Sequence, residues 1–215
     1  MQDLVLIGAG GFGREVAWLV SNINKIQETW NIIGFIDENP VLTGSTINGF
    51  PVLGGIEWLE STDKHIFICC TIGNPILREK MISIASKCSN VSFATLIDPS
   101  VLLSEFVEIG EGSIICAGSI LTVNITIGRH VIINLDCTIG HDAIINDFCT
   151  LYPSVNVSGS TIIKSNVEVG TGTQIIQGIT IEEGTIVGAG AVVVKGLPAN
   201  CTAVGSPAKP IKFNK

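Results

Sequence analysis

The sequence predicts two unlike parts: a small α/β domain of βαβ form over residues 1–92, and a parallel β-helix over residues 93–215. Three observations predict them. The chain opens with short apolar runs separated by a glycine-rich turn and a helical stretch. From Ile97 to Val193 every sixth residue is Ile, Leu or Val, at seventeen positions without exception. Four residues after each stands a second register of mostly small or β-branched residues, among them Ser113, Ser119, Cys137, Ala143, Cys149 and Thr161.

In the front domain, Leu4, Val5, Leu6 and Ile7 read as a buried strand. The run Gly8-Ala9-Gly10-Gly11-Phe12-Gly13 then turns the chain into a helix starting near Arg14. A second apolar run, Ile32 to Ile36, ends at Asp37-Glu38, and Asp37 lies 24 residues beyond Gly13. That spacing is close to the one at which a Rossmann acid meets a ribose. Ile66 to Cys70 reads as a third strand, followed by Ile72-Gly73-Asn74 and a helix over residues 75–87. The Rossmann-like pattern places a ligand crevice at the strand ends. Glycines at 10 and 11, with Phe12, let the backbone approach a phosphate group at a helix start, and Asp37 can take a ribose or base. The segment is too short for a full dinucleotide fold, so it suits one nucleotide moiety.

The second part cannot be helical. A helix turns every 3.6 residues and cannot keep a period of six on one face, whereas a short strand and a turn can. Hexapeptide periodicity signals a parallel β-helix. Each unit supplies one flat side of a triangular coil, three units make a turn of eighteen residues, and the long aliphatics stack along the interior. The second register stays small because the corners converge on a narrow axis. Seventeen units imply between five and six coils with no large inserted loop.

Composition bounds the function. The chain is 46% hydrophobic and 14% charged, with 24 glycines, a net charge of −7 and a sequence pI near 4.9. Such a balance argues against a broad basic surface for nucleic acid. No apolar run is long enough for a membrane helix, and the seven cysteines include no CxxC pair and no secretory context. A reducing cytoplasm and no metal site are expected. The cysteines read as small buried hydrophobes.

Chemistry points to one corner. Of three histidines, His65 precedes a strand and His130 follows Arg129 in a turn, and both are expected at the surface. His141 sits in the corner Gly140-His141-Asp142, where a general base beside an acid would stand free of the core. Such a base can take a proton from an attacking nucleophile at neutral pH. Asn134, seven residues earlier, is a candidate for orienting a substrate.

Together these residues resemble the sialic acid O-acetyltransferase group of the left-handed β-helix acyltransferases, which includes the bacillosamine- and perosamine-type nucleotide-amino-sugar N-acetyltransferases. The pieces that carry the likeness are Gly8 to Gly13, Phe35-Ile36-Asp37-Glu38, Ile72-Gly73-Asn74, Ile133-Asn134, Ile139 to Asp142 and Gly205-Ser206-Pro207-Ala208-Lys209. The resemblance implies the left hand of the β-helix and a homotrimer with active sites between subunits. Its implied reaction is acetyl transfer from acetyl-CoA to the 4-amino group of a UDP-, GDP- or dTDP-linked 4-amino-4,6-dideoxy sugar, in surface polysaccharide or glycan synthesis. It makes His141 the base and Asp142 its orienting acid, and brings Gly10, Gly11, Phe12, Asp37, Glu38, Gly73, Asn74 and Asn134 to the nucleotide sugar. Acetyl-CoA would meet Gly159, whose N–H can hold the oxyanion, together with Gly170, Thr171, Gly188, Ala189 and Lys209. Some members carry a second histidine nine residues after the first, touching acetyl-CoA; here that position is Thr150. Two other readings stay open: O-acetylation of sialic acid or another sugar, and a non-catalytic β-helix scaffold.

Overall fold

The computed structural model describes residues 1–214 and divides into two compact units, Met1–Pro99 and Ser100–Lys215. In the first, β1 (Gln2–Ile7) leads through α1 (Gly11–Ile26) to β2 (Trp30–Ile36). There follow β3 (Thr46–Ile47), β4 (Phe50–Gly54), β5 (Ile66–Cys70), α2 (Pro75–Ala85) and β6 (Val91–Phe93). The sheet order is β3-β4-β2-β1-β5-β6, parallel throughout except for β3. The three expected strands are its centre. Leu4, Val5, Leu6, Phe35, Ile36 and Ile68 are fully or almost fully buried, as two-sided parallel strands require. Val16, Ala17, Leu19 and Val20 of α1 supply one covering stripe at helical spacing.

Two glycines of the first turn are dictated by packing. Gly8 has φ +109°, and a β-carbon on Gly13 would stand 2.0 Å from Gly8 O. Only a bare α-carbon lets α1 start this close to β1. The helix begins three residues earlier than the sequence suggests, at Gly11, with Gly10 as an N-cap that makes no side-chain hydrogen bond.

In the second unit, two- and three-residue strands repeat at eighteen-residue register. Ile115 pairs in line with Ile133, Leu151, Val169 and Val187; Leu103 with Leu121, Ile139, Val157, Ile175 and Val193; Ile109 with Ile127, Ile145, Ile163 and Ile181. The sheets enclose a left-handed parallel β-helix, as the hexapeptide spacing and its family resemblance predict. At its end Cys201–Val204 joins Ile186–Val187, and Lys209–Phe213 folds back antiparallel on it, pairing the edge of the last coil.

The smallest residues of the second register are interior: Ser113, Ser119, Cys137, Ala143, Cys149, Thr161, Thr173 and Thr185 are each 0% exposed. Narrowness explains their size, and hydrogen bonding explains their polarity. Ser113 Oγ donates to Gly128 O at 2.9 Å, Ser119 Oγ to Asn134 O at 3.0 Å, and Cys149 Sγ to Lys164 O at 2.9 Å. Each satisfies a buried donor against the carbonyl fifteen residues on. Burial pushes the Cys137 thiol up to about 11, so it stays a neutral donor, to Tyr152 O at 3.3 Å.

Corners have a rule of their own. At every sixth residue from Gly112 to Gly190 the backbone takes φ between +54° and +77°, with Gly, Asn, Asp, His, Phe or Ser in place. His130 and Phe148 occupy two such positions one coil apart, and their rings stack at 5.2 Å. His130, expected at the surface, is therefore only 4% exposed, because the coil above covers it. His65 is exposed as expected.

Candidate active site

The register sorts the corner residues into columns. One edge of the prism carries Glu105, Val123, His141, Gly159, Gln177 and Lys195, each one coil above the last. Backbone bonds tie this column together: Asp142 N–H donates to Val123 O at 3.1 Å, Ser160 N–H to His141 O at 2.8 Å and Gly178 N–H to Gly159 O at 3.0 Å. His141 is thus held at the main chain while its side chain stays 53% exposed.

Two contacts fix the imidazole. Asp142 follows at φ +59°, and this left-handed step turns its carboxylate back beside the ring, where His141 Nδ1 and Asp142 Oδ2 lie 2.8 Å apart. A carboxylate only accepts, so Nδ1 bears the hydrogen and Nε2 keeps the lone pair. On the other side the ring covers Gly159, where a β-carbon would stand 2.6 Å from Cε1 and from Nε2. Gly159 is therefore required by close approach. Its own N–H donates to no acceptor among the described residues. The Asp142 carboxyl is held below its ordinary value, first by the hydrogen bond with His141 and then by one from Asn124, whose Nδ2 lies 3.3 Å from Oδ1. Nothing in the sequence singles out Asn124, because its partner is eighteen residues away and the link exists only once the coil is wound.

The other β-helix candidates lie elsewhere. Asn134, Gly170 and Gly188 share a second edge, one corner round from His141, and Thr171 and Ala189 follow them on it. Asn134 is 8% exposed and turns Oδ1 onto Leu135 N–H at 2.7 Å. A β-carbon on Gly170 would meet Ala189 N at 2.5 Å, and one on Gly188 would meet Val204 Cγ1 at 2.7 Å, so coil packing accounts for both glycines. Thr171 and Ala189 are exposed, Thr150 is 1% exposed on a flat face, and Lys209 is exposed on the terminal strand.

In the front unit a cavity of about 320 Å³ opens at the carboxyl ends of β1, β2 and β5. The chain leaves β1 toward β2 and returns on the other side through β5, which is the topology that opens a crevice in a parallel sheet. Gly8, Asp37 and Glu38 line it together with Leu77, Lys80, Met81 and Ile84 of α2. Asp37 Oδ2 accepts from Ala9 N–H at 2.9 Å and Oδ1 from Asn39 N–H at 3.0 Å, while Glu38 Oε1 accepts from Ile56 N–H at 2.8 Å. These carboxylates hold the crevice loops in shape. Gly73 and Asn74 lie outside that lining: Asn74 caps α2 through Leu77 N–H at 3.0 Å, and the buried Arg78 guanidinium clamps Ile72 O at 2.7 Å and Gly73 O at 3.0 Å. Gly10 and Gly11 have ordinary φ and open space where a side chain would go, apart from the Arg14 guanidinium 3.8 Å from the Gly11 position. No packing demand explains these two glycines. They leave the first turn of a sixteen-residue helix uncovered, where amide hydrogens point outward.

Among the described residues no cluster of three or more His, Cys, Asp or Glu is placed to hold a metal, and no helix is long and apolar enough to cross a membrane.

The model of the PglD N-terminal domain family matches residues 3–85. No curated protein matches the sequence. Among solved structures, the chain is similar to the acetyltransferase domain of PglB from Neisseria gonorrhoeae FA1090 in complex with acetyl coenzyme A, at 31% identity over 98% of this chain and 99% of that one, with a TM-score of 0.89. WeeI from Acinetobacter baumannii AYE is 33% identical over 98% of this chain and 100% of its own, with a TM-score of 0.88. PerB from Caulobacter crescentus, in complex with CoA and GDP-perosamine, is 30% identical over 99% of this chain and 98% of its own, with a TM-score of 0.86.

Proposed function

We propose a function from a fixed premise: this chain belongs to the nucleotide-amino-sugar N-acetyltransferases, hexapeptide-repeat acyltransferases that carry a PglD-type N-terminal domain. It is an acetyl-CoA-dependent acetyltransferase acting on the amino group of a nucleotide-linked sugar. The acceptor we assign is the 4-amino group of a 4-amino-4,6-dideoxy sugar on UDP, GDP or dTDP, acetylated in the cytoplasm for surface polysaccharide or glycan synthesis.

The observation that carries this reading is the His141–Asp142 pair on an exposed edge, with the ring laid on a bare glycine. With Nδ1 engaged, Nε2 is free to take a proton from the amine as its nitrogen forms the bond to the thioester carbonyl carbon. The tetrahedral oxygen gains charge and is held by the Gly159 N–H. The carbon–sulfur bond then breaks, CoA departs as thiolate, and the imidazolium returns the proton to it. Asp142 keeps its charge through the cycle and favours the imidazolium by proximity.

We assign the nucleotide to the front unit. The crevice at Asp37 and Glu38 suits a nucleoside, and the open amide hydrogens at Gly10, Gly11 and Phe12 suit its phosphates. Gly73 and Asn74 complete the loop beside them. The assembly we assign is a homotrimer. Thr171 and Ala189 stand on a different edge from His141, so a straight cofactor groove using both takes one edge from each of two copies, and Asn134 then faces the site from the neighbour. Lys209 is assigned to the same cofactor groove, whereas Thr150, buried on its flat face, is withdrawn as a cofactor contact.

The test is release of CoA thiol with UDP-, GDP- and dTDP-linked 4-amino sugars as acceptors. His141→Ala and His141→Asn should lower kcat by roughly 10²- to 10⁴-fold, the usual worth of a general base, with KM for acetyl-CoA nearly unchanged. Near-normal turnover in both variants would remove His141 from the proton path, and activity only with a free sugar would overturn the acceptor.

A further inference from the structure

We propose that Asn124 is a positioning residue for acetyl transfer: its side-chain amide grips one oxygen of Asp142 from the coil below and so aims the other at His141 Nδ1. The inference rests on the reading of His141 as the base. Asn124 Nδ2 lies 3.3 Å from Asp142 Oδ1, and Asp142 Oδ2 lies 2.8 Å from His141 Nδ1, so the three side chains form one chain of hydrogen bonds across two coils.

An exposed carboxylate has little reason to hold one rotamer. Asp142 is 53% exposed at its side chain, and water could satisfy both oxygens equally well. An isolated contact of this kind between exposed groups contributes little. With one oxygen fixed by a neutral donor, rotation about the Cβ–Cγ bond is restrained and the ring loses its freedom to swing off the carboxylate. Asn124 suits this role twice over. Its backbone sits at φ +54°, directly under Asp142 at φ +59°, a conformation Asn accepts more readily than most residues. Its amide supplies a donor without adding charge beside a carboxylate. Aspartate or glycine would meet the backbone demand, but neither would donate.

That distinction makes the test. Asn124→Gly keeps the left-handed corner and deletes the donor, and Asn124→Asp keeps the shape and replaces attraction by repulsion. Expected for Asn124→Gly is a fall in kcat of roughly three- to tenfold, a fraction of what a general base is worth, with KM for both substrates unchanged and a larger fall for Asn124→Asp. In an Asp142→Asn background, Asn124→Gly should cost nothing further. A separate readout does not depend on turnover: ¹⁵N chemical shifts of the His141 ring, assigned by their loss in His141→Ala, should show less Nδ1–H tautomer in Asn124→Gly. An unchanged tautomer and unchanged kcat in both variants would overturn the inference, as would losses that add in the double variant. If instead His141→Ala proves active while the tautomer responds to Asn124, the base assignment fails and takes the part in acetyl transfer with it, while the alignment of the ring by Asn124 stands.

Discussion

The His141 imidazole rests on the α-carbon of Gly159 so closely that a β-carbon there would stand 2.6 Å from both Cε1 and Nε2. The fold itself has no need of a glycine at this corner, since Gly159 takes no left-handed φ. Gly159→Ala should therefore fold and melt within a few degrees of the parent, yet displace the ring and lower kcat by about 10- to 100-fold, in line with the sensitivity of catalysis to misplacement. Circular dichroism melting with steady-state kinetics checks it. Full activity in Gly159→Ala would mean that the ring is free to move without consequence.

Asp142 gives a prediction in pH. Hydrogen bonds from His141 and Asn124 hold its carboxyl below the ordinary 3.8. A depressed carboxyl still keeps its charge at that value and loses it only as pH falls through its own, lower one. The interaction with His141 is thus fully present from about pH 5 upward. Asp142→Asn removes a charge that does not titrate in the working range, so the drop in kcat should be a constant factor between pH 8 and 9.5, above the range in which histidines ordinarily change charge, and about 10-fold or more. A ratio of parent to variant that changes steeply across that interval would show that Asp142 is not the group held ionised beside the ring.

The sequence reads the repeat better than it reads the corners. Period six survives in one dimension, because each aliphatic from Ile115 to Val193 faces the same narrow interior whatever the coil does. His141 and Asp142 are adjacent and legible for that reason. Asn124, in contrast, meets Asp142 only across a full turn, and Val123, Gln177 and Lys195 join His141 only through register. His130 misleads because its corner turns it under Phe148, one coil above. In the front unit β1, β2 and β5 are largely apolar runs, whereas Phe50–Gly54 is interrupted by proline and ends in glycine, and Val91–Phe93 is only three residues long. Their strand character comes from pairing with β2 and β5 rather than from propensity.

Gly13 and Gly10 belong to one motif but do different work. Gly13→Ala drives a methyl to within 2.0 Å of Gly8 O and should cost several kcal/mol, seen as a large loss in melting temperature or in soluble yield. Gly10→Ala meets nothing within 4 Å and has φ −70°, so stability should change by about 1 kcal/mol or less, the scale of an N-cap exchange. If Gly10 admits a phosphate, that variant should raise KM for the nucleotide sugar several-fold while leaving KM for acetyl-CoA alone. An unchanged KM for the sugar would move the phosphates away from this helix end.

The His141 edge is electrically lopsided, which gives a prediction for the direction of the proposed cofactor. Below the histidine stand Val123 and the exposed Glu105; above it stand Gly159, Gln177 and the exposed Lys195. At about 4.8 Å per coil Lys195 sits roughly 14 Å along the edge from His141, far enough for a pantetheine arm to separate a thioester from its diphosphate. A polyanion aligned on this edge avoids Glu105 and runs toward Lys195. Lys195→Glu should then raise KM for acetyl-CoA by about tenfold at low ionic strength, with the difference shrinking as salt screens the contact. Turnover of a truncated donor such as S-acetyl-N-acetylcysteamine, which has no phosphates, should be the same in parent and variant. Equal KM values for acetyl-CoA at low salt would place the diphosphate off this edge, and a matching loss with the truncated donor would show that the substitution disturbs the coil rather than the charge.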